Sequence, residues 1–298
     1  MNVFFFVKKN FHLINETVFK QFQIILIITG LIQFFVFLFF DHQINFLDTD
    51  HYSKVSSVAI RLRGFFIEPN WYAIAISFNT FLLIGKNLSA FIKKHLTLFI
   101  VTILVMLLNG TFGTLIILLA VYGYKYLKKN FVIAFFLLII GALTINYILE
   151  GRASIKKGKS GIELFNYGSR VRPFQKVVDY LNEQGNWKWM FGEGLGSWGT
   201  LGIENKLSVL RFEADPKFRD SSELHVFLFE LGLVGTLVFF LDFLTIWFKG
   251  NREDFHLRGA LLLFVAAFLL YPIFKFWMYM PYYFYVRESI IKSKPERI

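Results

Sequence analysis

A histidine at the head of an apolar run, an acid five residues further on, and four arginines in two polar stretches are the side chains here that could do chemistry. The histidine is His225 and the acid Glu230, both in SSELHVFLFELGLVG. An imidazole titrates near neutrality and can take a proton from a hydroxyl, although a lone histidine at an interface is more often structural. A carboxylate inside a membrane span is costly, which marks it as functional by default, although pairing with an arginine would also account for it. Arg61 and Arg63 precede EPN, and Arg170 and Arg172 lie in GSRVRPF. Guanidinium forks match phosphate oxygens two at a time, so the four would suit a diphosphate; contact with lipid headgroups, or solvated loop charge, would explain them as well.

Other chemistries are disfavoured. The chain has no cysteine, which removes disulfides, thiolate catalysis and thiolate metal sites together. Asp48, Thr49 and Asp50, with Asp41, His42 and His51 nearby, imitate a metal-binding DxD. That loop is expected outside the membrane, where nucleotide sugars are not supplied, so no metal is expected on it. Gly192, Gly194 and Gly196 permit close backbone approach, but no strand precedes them and the spacing is not that of a dinucleotide site. There is no HExxH, P-loop or Ser/His/Asp elbow, and no cofactor is expected.

The elements that must position these residues follow from composition. Of the 298 residues, 55% are hydrophobic and 18% charged, more apolar surface than a soluble domain of this length can hide. Every backbone amide in a bilayer needs an internal partner, and the apolar runs do not alternate with period two, so helices are expected. The fold class read here is an all-α integral membrane protein, with about eight transmembrane helices and one long extracytoplasmic loop containing short helices. An N-terminal membrane region covers 1–149, the loop 150–222, and a C-terminal membrane region 223–298. Spans are expected at 21–40, from EPNWYA to about Ile84, 131–149, 223–248, about 258–271 and about 273–290. The shorter runs 96–108 and 112–127, parted by NGT, are two thin helices or a re-entrant hairpin. Residues 1–20 suit a helix lying on the membrane surface or a frayed terminus.

Charge sets the orientation. The net charge of +11 is a topology signal rather than a nucleic-acid patch, because no basic run is interleaved with aromatics. With the N-terminus inside, inside segments hold 16 Lys and Arg, short outside loops hold 4, and 150–222 holds the other 12 of the 32. The bias places the loop outside and both termini in the cytoplasm, in a multi-pass protein of the cytoplasmic membrane. Within the loop, Pro173 suits the first turn of a helix whose stripe is Phe174, Val177, Val178 and Leu181. Trp187, Trp189 and Phe191 suit the interface.

The order RLRGFFIEPNWYA, NGTFGTLII, SRVRPFQKVVDYL with FGEGLGSW, then ELHVFLFELGLVG resembles the O-antigen ligase and Wzy-type polymerase superfamily, over about Arg61 to Phe240. The resemblance implies an inverting, metal-independent glycosyl transfer from an undecaprenyl-diphosphate-linked oligosaccharide at the outer membrane face. It implies that Arg61, Arg63, Arg170 and Arg172, with Glu68 and Asn70 of EPN, bind substrate. It makes His225 the base or the residue that orients the acceptor, with Glu230 as its support. Membrane lipids and other polysaccharide-assembly proteins are the further partners implied. Thr111, Phe112 and Gly113 stand where ligases usually carry Ser-Arg-Gly, and His225-Val226 stands for His-Asn; both departures favour a polymerase over a ligase. The N-terminus is shorter than relatives commonly have, as expected of a minimal or truncated member. A lipid-linked glycan transporter is the reading from another class.

Overall fold

The computed structural model describes residues 3–40, 44, 62–66, 69–109, 112–127, 171–208, 222–250, 254–270 and 279–292. Among them the chain is helical throughout. The elements are α1 (Val3–Asn10), α2 (Glu16–Phe40), α3 (Pro69–Ile84), α4 (Leu88–Lys94), α5 (Leu96–Asn109), α6 (Phe112–Leu127), α7 (Val171–Gln184), α8 (Asn186–Phe191), α9 (Glu223–Lys249), α10 (Phe255–Leu270) and α11 (Met280–Lys292). Two helices, α2 and α9, are long and apolar enough to cross a membrane; α3 with α4 would make a third if the pair, bent by 95°, is one span. Shorter apolar helices include Leu96–Asn109 and Phe255–Leu269. The expected helix at 131–149 lies outside the described residues, as do Pro272 and the Asp48–Asp50 stretch.

Two boundaries differ from expectation for local reasons. Helix α2 starts at Glu16 rather than 21, because the Asn15 side chain accepts the Val18 N–H at 3.2 Å and Glu16 puts an acid in the first turn. The N-terminal 20 residues therefore do not form one helix: α1 ends at Asn10 and a 3₁₀ turn, Phe11–Leu13, follows.

The chain divides into two compact units. The first is Met1–Tyr124 with Ile246–Phe264 and Met278–Ile298, and the second is Lys125–Thr245 with Val265–Trp277. In the first, α2, α3 and α5 pack through polar side chains rather than apolar ones alone. The Gln23 amide donates to the hydroxyls of Thr80 and Thr102, each at 3.1 Å, and Asn79 donates to Gln23 Oε1 at 2.9 Å. Hydrogen bonds of this kind hold helices together where neighbouring lipid removes any hydrophobic advantage of association. Tyr72 reaches the Leu26 carbonyl at 2.6 Å, passing Gly30, where a Cβ would meet its hydroxyl at 2.3 Å. Helix α1 lies on α11 in the same unit, and Phe11 of the 3₁₀ turn and Phe19 of α2 each place a ring 5.1 Å from Tyr285 of α11.

The second unit is built around the first half of α9. Val177 and Leu181 of α7 are fully buried against Val226, Leu228, Phe229 and Trp198, and Phe174 and Val178 flank them. The predicted stripe of the loop helix is thus its packing face, with Pro173 in the first turn.

Candidate functional site

Two local arrangements hold the residues singled out from the sequence, one in each unit. In the first unit the arrangement is the turn Leu62–Phe66. Gln33 Oε1 accepts the N–H groups of Arg63 and Gly64 at 3.0 and 2.9 Å, and its Nε2 donates to the carbonyls of Gly64 and Ile44, each at 3.0 Å. Asn109 donates to the Leu62 carbonyl and, at 2.8 Å, to that of Pro69. Gly64 has φ +51, and a Cβ there would lie 2.9 Å from Thr29 Oγ1. Two amide side chains from α2 and α5 therefore fix the backbone that carries Arg63, whose side chain is buried, and leads to Asn70 at the second position of α3. Arg61 and Glu68 lie outside the described residues.

In the second unit α9 is interrupted. Gly232 has φ +62 and ψ −167, so the helix stops propagating there. The carbonyls of Phe229 and Glu230, which a straight helix would pair with Leu233 and Val234, instead accept the N–H groups of Glu193 and Gly194 at 2.8 and 2.9 Å. The loop comes this close because glycine stands on both sides. A Cβ on Gly192 would be 2.5 Å from the Glu230 carbonyl carbon, and one on Gly232 would be 2.5 Å from the backbone of Met190.

His225 sits about two turns before the break and is wholly buried. Its Nδ1 is 3.0 Å from Ser222 Oγ, and its ring meets the edge of Trp198 with centroids 4.7 Å apart. Trp198, also wholly buried, begins a short π-type turn, Trp198–Gly202; its N–H donates to Glu230 Oε1 at 3.3 Å. A carboxylate at the start of a helical turn is favourably placed toward the exposed amide dipoles. Glu230 and His225 thus both touch Trp198. Beyond this cluster the loop is fastened by Glu193, which accepts from Lys188 at 2.5 Å and from Tyr180 Oη at 3.1 Å. Partial burial, and then the Glu193 charge, push the Tyr180 phenol above its ordinary range.

The structure therefore brings His225 and Glu230 together around Trp198, as one cluster. Arg172 is in the same unit, exposed at the second position of α7 and in no ion pair among the described residues, while Arg63 and Asn70 belong to the other unit. Arg170 lies outside the described residues. No group of three or more His, Asp or Glu among the described residues could hold a metal ion. Residues the sequence did not flag are Ser222, Trp198, Gln33 and Asn109. The first had a signal: Ser three residues before His at a helix start is capping-box spacing, with imidazole in place of the carboxylate. No protein family, curated protein or solved structure matches the chain.

Proposed function

We propose that this protein is a membrane glycosyltransferase that polymerises undecaprenyl-diphosphate-linked oligosaccharide repeat units, of a surface polysaccharide or O-antigen kind, at the outer face of the cytoplasmic membrane. On this reading the chain crosses the membrane about eight times, both termini are cytoplasmic and 150–222 is outside. The observation that carries the proposal is the setting of His225, held at the head of α9 by Ser222 and Trp198 beside a glycine loop docked on the same helix.

With Nδ1 donating to Ser222 Oγ, Nε2 is the nitrogen able to accept a proton. The acceptor hydroxyl oxygen attacks the anomeric carbon and the bond from that carbon to the diphosphate breaks. The electron pair leaves on undecaprenyl diphosphate, and the hydroxyl proton passes to Nε2. Attack opposite the leaving group inverts the anomeric centre. Arg61, Arg63, Arg170 and Arg172 meet the charge on the departing diphosphate, with Glu68 and Asn70 as further substrate contacts, and no metal is needed. Glu230 is a positioning residue. His225 has no exposed surface, so a hydroxyl reaches it only when the side chains covering it move aside.

His225→Ala should insert at the normal level and abolish chain growth, seen as loss of the ladder on a surface-glycan gel; an unchanged ladder removes the proposed base. Transfer of the product to a second acceptor lipid would make the enzyme a ligase instead. The break at Gly232 favours one other reading, a lipid-linked glycan transporter, since discontinuous helices line substrate sites in transporters. Movement of the lipid across reconstituted vesicles without glycosidic bond formation would replace the enzyme by that transporter.

A further inference from the structure

A groove of about 420 Å³ lies in the first unit between α2 and the corner where α4 passes into α5, and none of its lining residues belongs to the candidate site. Its polar end is made by Lys20, Lys94 and His95, and its walls by Ile24, Ile27 and Val101. Lys20, Ile24 and Ile27 stand at i, i+4 and i+7 on α2, so the groove passes from charge to hydrocarbon within about 10 Å along the helix. The volume falls within the roughly 300–1,000 Å³ of small-ligand pockets.

Three features select an anion for the polar end. First, Lys94 Nζ and His95 Nε2 already converge on one carboxylate oxygen, Glu16 Oε1, at 3.1 and 3.6 Å. Second, His95 Nε2 is buried and makes no hydrogen bond among the described residues, the distance to Glu16 being too long for one. Third, Leu96, Thr97 and Leu98 of the lining are the first three residues of α5, and the first bond onto this turn is Phe99 N–H to His95 O at 3.0 Å. The leading amides of α5 thus lack partners within the helix and carry its positive end. Two lysines, an imidazole and a helix start face a single carboxylate. Of the apolar walls, Ile24 is 38% exposed on α2, Val101 is half-buried, and Ile27 is buried at the floor of the groove.

We infer that this groove binds one anionic phospholipid, with its phosphate among Lys20, Lys94 and His95 and an acyl chain along Ile24, Ile27 and Val101. Glu16 occupies the phosphate position when the lipid is absent and competes with it. Basic pockets between membrane helices bind such headgroups with a large contribution from each cation.

The test is native mass spectrometry of the full chain in detergent, titrated with phosphatidylglycerol or phosphatidylcholine. Phosphatidylglycerol should be retained as one preferred adduct. Lys20→Gln with Lys94→Gln should weaken it about thirtyfold. Glu16→Gln should strengthen it about fivefold by removing the competing carboxylate, a gain that a purely structural ion pair would not produce. Lys9→Gln with Lys249→Gln, an equal charge change elsewhere, should leave it within twofold. The inference is overturned if the Lys20/Lys94 variant binds like the wild type, if the control pair loses as much, if Glu16→Gln brings no gain, if phosphatidylcholine binds equally, or if inorganic phosphate displaces the lipid.

Discussion

Gly232→Ala attacks the point where loop and helix meet. At φ +62 and ψ −167 the backbone is in a region that only glycine occupies readily, and forcing alanine there costs about 1–3 kcal/mol. The new Cβ also lands 2.5 Å from the backbone of Met190 and Phe191, which has no flexible end to move aside. Relief comes by straightening α9, so that Leu233 and Val234 recover the carbonyls of Phe229 and Glu230. The Glu193 and Gly194 amides then lose their partners at 2.8 and 2.9 Å, worth about 1 kcal/mol each. Those bonds resist undocking in both proteins, so the substitution shifts the docking equilibrium by the strain, about 1–3 kcal/mol or roughly fivefold to 150-fold, with the overlap adding to it. Hydrogen exchange of the peptide containing Glu193 and Gly194 reads this directly, as a loss of protection by at least about fivefold. Gly196→Ala is the control: φ is +83 there, but a Cβ would meet nothing within 4 Å, so strain arises without a clash against α9. Protection in Gly232→Ala equal to that of the wild type, or no worse than in Gly196→Ala, would refute the docking argument.

Other outcomes follow from the same contacts. Gln33→Ala removes the partner of three backbone groups in Leu62–Phe66 and of the Ile44 carbonyl, and should destabilise the protein by about 2–4 kcal/mol, measured as a fall in thermal midpoint in detergent. Tyr72→Phe deletes one hydrogen bond without a cavity and should cost only about 1 kcal/mol by the same measurement. Ser222→Ala should lower glycan chain growth with the protein still inserted, because Nδ1 loses the group that sets its proton; an unchanged ladder would reduce Ser222 to a helix cap. The Tyr180 phenol is raised by folding, so its contribution to stability is complete below the ordinary phenol range and is lost as pH rises through the elevated value. Glu193→Gln should lower that value while leaving the part due to burial, measured as the tyrosinate absorbance difference between each protein and its Tyr180→Phe variant.

Periodicity made part of this architecture readable before any coordinates. The stripe Phe174, Val177, Val178 and Leu181 identified the packing face of α7, and apolar length identified α2 and α9, because both signals depend only on which residues avoid water. The break in α9 was not readable. ELGLVG sits inside a run apolar enough to continue, and only the approach of Met190–Gly194 shows why Gly232 turns the chain. Likewise Gln33 and Asn109 look like stray polar residues in apolar helices, since their partners are backbone groups of a segment distant in sequence. His225 was found from its chemistry; its enclosure by Trp198 depends on a loop contact that no local pattern records.

The reciprocal glycines at 192 and 232 also constrain how this protein can be recombined. A side chain on Gly192 would run into the backbone of Glu230 and Gly232, and one on Gly232 into that of Met190 and Phe191, so neither position tolerates enlargement. Inserting or deleting one residue in α9 ahead of Gly232 would rotate the docking face by about 100° and present the loop with a side chain in place of bare backbone. Exchange of segments with another protein should therefore carry residues 186–236 as a single block, because a crossover within it would join two halves of a lock cut to different keys.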